Sequence, residues 1–142
     1  MPKLPWIAEE WVAVVDDDES VRRSLERFFR IAGVRVRTFA VAEEFLNEVG
    51  VPPACVVIDV QLGTSTGFEL RDSLEARSVP PPPIIFITAR DDLAALGRSD
   101  ERGVCAWLAK PFRAETLLSI IDDMRAARRE WITSVGDTRN TA

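Results

Sequence analysis

Histidine is absent from this chain of 142 residues, and cysteine occurs only twice. The absence of imidazole excludes histidine-based catalysis and histidine-ligated metals. Cys55 and Cys105 each lie inside an apolar run. Two buried thiols in a reducing compartment are the simplest interpretation of that placement.

Long apolar segments are also missing, and no segment approaches the roughly 18 apolar residues that cross a bilayer. Glu9 and Glu10 lie where a signal peptide needs an unbroken apolar stretch. The net charge is -5, whereas a surface that binds nucleic acid needs an excess of basic residues. We therefore expect a cytoplasmic protein that binds neither membranes nor nucleic acid directly.

The composition is that of an ordinary globular protein, with 46% apolar and 29% charged residues, and the length suits one domain. Five short β-like runs alternate with helix-like segments. The predicted strands are 11–15, 34–39, 54–58, 84–87 and 104–108, and the predicted helices are 19–32, 42–49, 66–76, 91–102 and 113–131. This alternation predicts an α/β fold with a single five-stranded parallel sheet and helices on both faces.

The predicted domain spans residues 11–131. Residues 1–10 form an N-terminal extension and residues 132–142 a polar C-terminal tail, and we expect the residues after Val135 to be disordered. The helix predicted at 91–102 is the weakest, because glycine, serine and aspartate interrupt its apolar pattern.

Polar side chains follow four of the predicted strands, at the point where each strand ends. They are Asp16 and Asp17 after the first strand, Asp59 after the third, Thr88 after the fourth and Lys110 after the fifth. Parallel α/β sheets bind ligands at the carboxyl ends of their strands, so these side chains are expected to converge at one edge.

The chemistry of such a cluster is restricted by charge. Two carboxylates about 4 Å apart repel by roughly 4 kcal/mol at an effective dielectric constant near 20, so a cation is needed. Carboxylate and carbonyl oxygens select Mg²⁺ or Ca²⁺, and an open site with few carboxylates suits Mg²⁺ better. Lys110 adds a second positive charge and Thr88 a hydroxyl donor. A carboxylate in these surroundings can attack a phosphoryl group and form an aspartyl phosphate.

The motifs at these strand ends carry a family resemblance. They are Val14-Val15-Asp16-Asp17-Asp18-Glu19, Ile58-Asp59-Val60-Gln61-Leu62 with Gly67 further on, Ile87-Thr88-Ala89, and Lys110-Pro111-Phe112. In this order and at these spacings they resemble the motifs of response-regulator receiver domains, from about residue 12 to the last helix. The resemblance implies a flavodoxin-like (βα)5 receiver fold.

The resemblance also implies roles for individual residues. Asp59 would be the phosphoacceptor, with Asp16, Asp17, Asp59 and the Gln61 backbone carbonyl as Mg²⁺ ligands, Thr88 as the switch hydroxyl, Lys110 as the partner of the acceptor or its phosphate, and Trp107 as the switching aromatic. Gln61 and Arg90, each two residues beyond a site residue, would tune dephosphorylation. The Lys110–Pro111 peptide bond is expected to be cis.

The implied partners are a histidine kinase or a histidine phosphotransfer protein on the input side. On the output side, a downstream protein or a second copy of the chain would bind the surface formed by the 91–102 helix, the fifth strand and the last helix. The chain would thus be a signalling domain that takes part in its own phosphorylation and slow dephosphorylation, rather than a metabolic enzyme.

Two alternatives remain open at this point. A phosphohydrolase of the haloacid dehalogenase type also uses an aspartyl phosphate, but it wants a second aspartate where this chain has Gln61. A receiver-like domain that only binds partners normally lacks some of the reacting groups, and this chain keeps them. P-loop and dinucleotide enzymes are excluded, because no glycine-rich loop follows the first strand.

Overall fold

The computed structural model describes the backbone of residues 5–48, 50–63, 65–77, 81–89 and 104–140, and the side chains of all of these except 104, 105 and 129–140. The elements in chain order are β1 (Val12–Val15), α1 (Glu19–Ile31), β2 (Val36–Phe39), α2 (Ala42–Leu46), β3 (Cys55–Asp59), β4 (Gln61–Leu62), β5 (Ser65–Thr66), α3 (Gly67–Arg77), β6 (Ile84–Ala89), β7 (Val104–Lys110) and α4 (Ala114–Asn140).

The main sheet has five parallel strands in the order β2-β1-β3-β6-β7. The predicted fold class is therefore confirmed. Since β1 lies between β2 and β3, the chain moves outward in opposite directions from β1, which creates a crevice at the carboxyl ends of β1 and β3. This crevice is where the first and third strands deliver their aspartates.

Both faces of the sheet are buried, which explains why the central strands are continuously apolar. One face packs Ala13 and Val15 with Phe45 of α2 and Leu70 of α3. On the other face Val12, Val14, Cys55, Val57, Ile85 and Ile87 pack against Leu25 and Phe29 of α1 and Leu117 and Ile121 of α4. Cys55 is buried, as expected. The two helical layers hold the strand ends rigidly.

The start of α1 follows directly from the sequence. The side chain of Asp18 accepts a hydrogen bond from the Ser20 backbone N–H at 2.9 Å, which makes Asp18 the N-cap residue. The helix ends where Gly33 adopts a positive φ of 80°, a conformation that costs glycine little. The N-cap role of Asp18 distinguishes it from Asp16 and Asp17, which precede it and belong to the strand-end cluster.

Helix α2 ends at Leu46, so its predicted extent to residue 49 was wrong. Two larger features also differ from the prediction. Strands β4 and β5 form a small antiparallel hairpin between β3 and α3. Two-residue strands are too short to show a period in the sequence. The last helix continues to Asn140, so the prediction that it ends near Trp131 was wrong. The predicted limits of the domain and of the tail stay predictions. The tail has no proline, and its single glycine costs a helix only about 1 kcal/mol.

Among the described residues, no helix combines the length and the apolar character that a membrane crossing requires. The helix predicted at 91–102 lies outside the described residues.

Candidate functional site

The structure brings the predicted site residues together at the carboxyl edge of the sheet. Asp16 directly follows β1, Asp59 ends β3, and Lys110 ends β7. Asp16 and Asp59 are buried, Lys110 is half-buried, and Asp17 is exposed. The cluster therefore has a buried floor and an open side where Asp17 meets solvent.

Lys110 joins the two buried carboxylates. Its Nζ donates a hydrogen bond to Asp59 Oδ2 at 2.8 Å and lies 3.1 Å from Asp16 Oδ2. Burial lowers the pKa of Lys110, but the hydrogen bond to Asp59 and the charges of both carboxylates outweigh it, so the pKa is raised above the usual value. Lys110 is therefore a fixed positive charge in the site.

The other oxygen of each buried carboxylate is held by a backbone amide two residues further along the chain. The Asp18 N–H donates to Asp16 Oδ1 and the Gln61 N–H to Asp59 Oδ1, each at 2.9 Å. The same local turn thus fixes the carboxylate at the end of β1 and the one at the end of β3. Both side chains are oriented before any ligand arrives.

Asp16 carries more charge than its surroundings neutralise. Its Oδ2 is buried and makes no hydrogen bond among the described residues, since the contact with Lys110 is an ion pair without hydrogen-bond geometry. Burial raises the pKa of Asp16 to about 6, and the charge of Asp59 adds to this effect. A buried carboxylate oxygen in this condition favours an additional cation.

The donor set fits a divalent cation. Asp16, Asp17 and Asp59 each offer one carboxylate oxygen, and the three oxygens lie within 4.8 Å of one another. Such hard oxygen ligands, with one exposed member that leaves room for water, match the preferences of Mg²⁺. The exposed Gln61 adjoins the cluster through its backbone. Its carbonyl as a further ligand stays a prediction.

Thr88 lies at the same edge. In the pairing of β3 with β6, Ile87 is opposite Asp59, so Thr88 is one residue further toward the site. Its Oγ1 is buried and makes no hydrogen bond among the described residues. A buried hydroxyl costs about 1–3 kcal/mol when left without a partner, so this group is suited to a ligand that supplies an acceptor.

Trp107 lies behind the site on β7. It is opposite Phe86 in the strand pairing, and the two ring centroids are 4.9 Å apart. The Phe68 ring of α3 lies 6.1 Å away. Trp107 is half-buried in this arrangement, and its indole packs against the core.

The sequence interpretation missed two residues near the site. Arg22 of α1 donates from Nη1 to the backbone oxygen of Asp16 at 2.7 Å. Gly67 lies so close to β3 that an added Cβ would be 2.8 Å from the Asp59 backbone oxygen. The position of Gly67 within the quoted motif was a signal for its close approach to β3. Helical periodicity carries no signal for the bond between Arg22 and the Asp16 carbonyl.

The Lys110–Pro111 bond is cis, as predicted. Arg90 lies outside the described residues, and so do the side chains of Cys105 and Trp131.

Comparison with known proteins agrees with this geometry. Residues 12–122 match the family model of the response regulator receiver domain. The transcriptional regulatory protein TdiR of Thauera aromatica is 35% identical over 120 residues, which cover 84% of this chain and 52% of TdiR. The chain spans about half the length of the curated relatives it matches.

Solved structures show the same similarity. The chemotaxis response regulator CheY4 of Vibrio cholerae superimposes with a TM-score of 0.72 at 28% identity, covering 81% of this chain and 98% of CheY4. The BeF3-activated DrrB receiver domain superimposes with a TM-score of 0.68 at 32% identity, covering 81% of this chain and 97% of the DrrB chain. The fold and the acidic cluster define a receiver domain of two-component signalling. The chain belongs to the response regulator receiver family, so the predicted resemblance is confirmed.

Proposed function

We propose that this chain accepts a phosphoryl group on Asp59 in a Mg²⁺-dependent reaction and thereby changes the surface it offers to a partner. The observation that carries the proposal is the contact set of Asp59. Its carboxylate lies within reach of the Lys110 ammonium at 2.8 Å and of two further carboxylates that complete a cation site. Membership of the receiver family supports the same assignment.

In the reaction, an Asp59 carboxylate oxygen attacks the phosphorus of a phosphohistidine. A new oxygen–phosphorus bond forms, the nitrogen–phosphorus bond breaks, and the imidazole leaves with the electron pair and takes up a proton. Mg²⁺, held by Asp16, Asp17, Asp59 and the Gln61 carbonyl, would neutralise charge on the phosphoryl oxygens. The chain itself fixes the attacking carboxylate through the Gln61 N–H and places Lys110 beside the developing charge.

Phosphorylation replaces one carboxylate charge by nearly two negative charges and three acceptor oxygens. The Thr88 hydroxyl, which has no hydrogen-bond partner within the described ranges, then has an acceptor and is drawn toward Asp59. This movement changes the space in front of Trp107, which shares the β6–β7 side of the domain. Couplings of this kind are about 1–3 kcal/mol, so the unphosphorylated protein already visits the active arrangement.

The donor is a histidine kinase or a histidine phosphotransfer protein. Two of the relatives that this chain matches are transcriptional regulatory proteins about twice as long as the matched region. We propose that the signal passes from the switch to a downstream protein or a second copy of the chain, through the surface that includes β7 and α4. Gln61 and Arg90 are proposed to set the lifetime of the phosphoryl group.

The test is incubation with Mg²⁺ and a small acyl phosphate, followed by intact mass measurement. One added phosphoryl group per chain is expected, with none on Asp59→Asn and none when Mg²⁺ is removed by a chelator. Modification that persists on Asp59→Asn would overturn the assignment of the acceptor. Continuous turnover of phosphate esters would instead support the phosphohydrolase alternative.

A further inference from the structure

Arg22 and Arg23 are adjacent in α1 but have different surroundings. Arg23 is highly exposed and pairs with Glu19, one turn earlier, at 3.1 Å. Arg22 is half-buried, and its Nη1 reaches back beyond the start of the helix to donate to the Asp16 backbone oxygen at 2.7 Å. A 2.7 Å bond from a charged donor is at the short, strong end for its type.

The oxygen that Arg22 binds belongs to the peptide group joining Asp16 to Asp17. The Asp16 side chain is fixed separately by Lys110 and by the Asp18 N–H. For the Asp17 side chain, no hydrogen bond or ion pair occurs among the described residues. The orientation of Asp17 is therefore set by its backbone, and Arg22 is the side chain recorded as bonding the peptide group that leads into it.

We propose that Arg22 is a positioning residue for the cation site, which holds the Asp16–Asp17 peptide so that Asp17 is directed at the ion. This inference rests on the proposed function. Mg²⁺ demands near-octahedral geometry. Among the carboxylate ligands, Asp17 is the one whose side chain no other group in the described part of the chain holds in place, so we expect its orientation to limit the Mg²⁺ affinity. The guanidinium suits the role, because it stays charged and its planar fork loses little freedom on bonding.

Magnesium affinity is the decisive measurement, made by calorimetry on the purified chain without any phosphoryl donor. We expect Arg22→Ala to weaken Mg²⁺ binding about tenfold, the lower end for residues that orient metal ligands. Arg22→Met, which keeps the apolar stem and loses the donor, should behave alike and serves if the alanine variant does not fold. Arg23→Ala is the matched control and should bind Mg²⁺ like the parent chain.

Two further readouts separate positioning from general destabilisation. In the phosphorylation assay, Arg22→Ala should need about ten times more Mg²⁺ for half-maximal rate but reach nearly the parent rate at saturation. In the metal-free protein, amide exchange at Asp17 and Asp18 should be faster in Arg22→Ala than in Arg23→Ala.

Equal Mg²⁺ affinity in the parent chain and both Arg22 variants would overturn the role of Arg22 and leave the proposed function intact. A parent chain that binds no Mg²⁺ would overturn the proposed cation site, and this inference with it.

Discussion

Two clusters of buried charge lie at opposite ends of the strands of the same sheet, here called its carboxyl edge and its amino edge, and they are built differently. At the carboxyl edge, Asp16, Asp59 and Lys110 form the site described above. At the amino edge, the chain that precedes β1 packs on α4 through Arg125. The Arg125 guanidinium binds both carboxylate oxygens of Glu10, at 3.1 and 2.7 Å, and the Pro5 carbonyl oxygen at 3.1 Å.

The Arg125 cluster is complete without a ligand. Its guanidinium carbon lies 3.7 Å from the centre of the Trp6 ring, and only 6% of the side chain is exposed. In contrast, the site leaves Asp16 Oδ2 and Thr88 Oγ1 buried without a hydrogen bond to any described part of the chain. We expect the first arrangement to stabilise the fold and the second to cost stability, because its buried polar atoms lack partners until the proposed ligand binds. Removing charge should therefore have opposite effects at the two edges.

The largest expected effect is at the amino edge. Arg125→Ala should lower the free energy of unfolding by about 2–3 kcal/mol, because it removes a buried bidentate pair while the part-exposed Glu10 regains water. Phosphorylation of the folded variant should remain normal. Urea unfolding provides the measurement, and a loss below about 0.5 kcal/mol, the size of a surface effect, would show that the cluster is not a structural element.

The next effect concerns the helix that packs against the acceptor strand. Gly67→Ala places a Cβ 2.8 Å from both the Asp59 backbone oxygen and Ile58 Cγ2, so backbone must move. We expect a loss of about 2 kcal/mol in urea unfolding. Gly63→Ala is the control, because Gly63 has open space around it and a φ of 67°. It should cost only about 1 kcal/mol. Equal losses of unfolding free energy in Gly67→Ala and Gly63→Ala would mean that a Cβ placed against β3 at position 67 adds no cost.

The carboxyl edge should respond in the opposite direction. Asp16→Asn keeps an oxygen that can accept from the Asp18 N–H and removes a buried charge that repels Asp59. We expect the metal-free protein to become more stable by about 1 kcal/mol, although the variant loses Mg²⁺ affinity. Thermal unfolding in chelator should show a higher midpoint. A lower midpoint would contradict the interpretation that the site stores unfavourable charge.

The smallest effect is a spectroscopic one. Beryllofluoride with Mg²⁺ should shift tryptophan fluorescence, since Trp107 lies beside the proposed switch and Trp6 at the other edge. Trp107→Phe should abolish the shift, and Trp6→Phe should leave it unchanged. A shift that survives in Trp107→Phe would show that this indole is packing and that the signal comes from another of the four tryptophans.

Much of the carboxyl edge was predictable from the sequence. Each central strand is a short apolar run that ends in a polar residue, so the positions of Asp16, Asp59, Thr88 and Lys110 follow once the strands are recognised as parallel. The N-cap role of Asp18 is equally local. Periodicity and strand ends are properties of neighbouring residues, and a single sequence displays them directly.

The tertiary structure alone decided the long-range contacts. Glu10 and Arg125 are 115 residues apart. Taken alone, a charged residue in an N-terminal extension or on a helix is expected to be exposed to solvent, so the sequence does not predict that these two meet. Arg22 likewise fits the solvated face of α1 in the sequence, and only the structure shows that its guanidinium reaches back to the Asp16 backbone oxygen. Which charged residue becomes buried depends on elements that meet only after folding, because local pattern specifies a face of a helix and not what is placed against it.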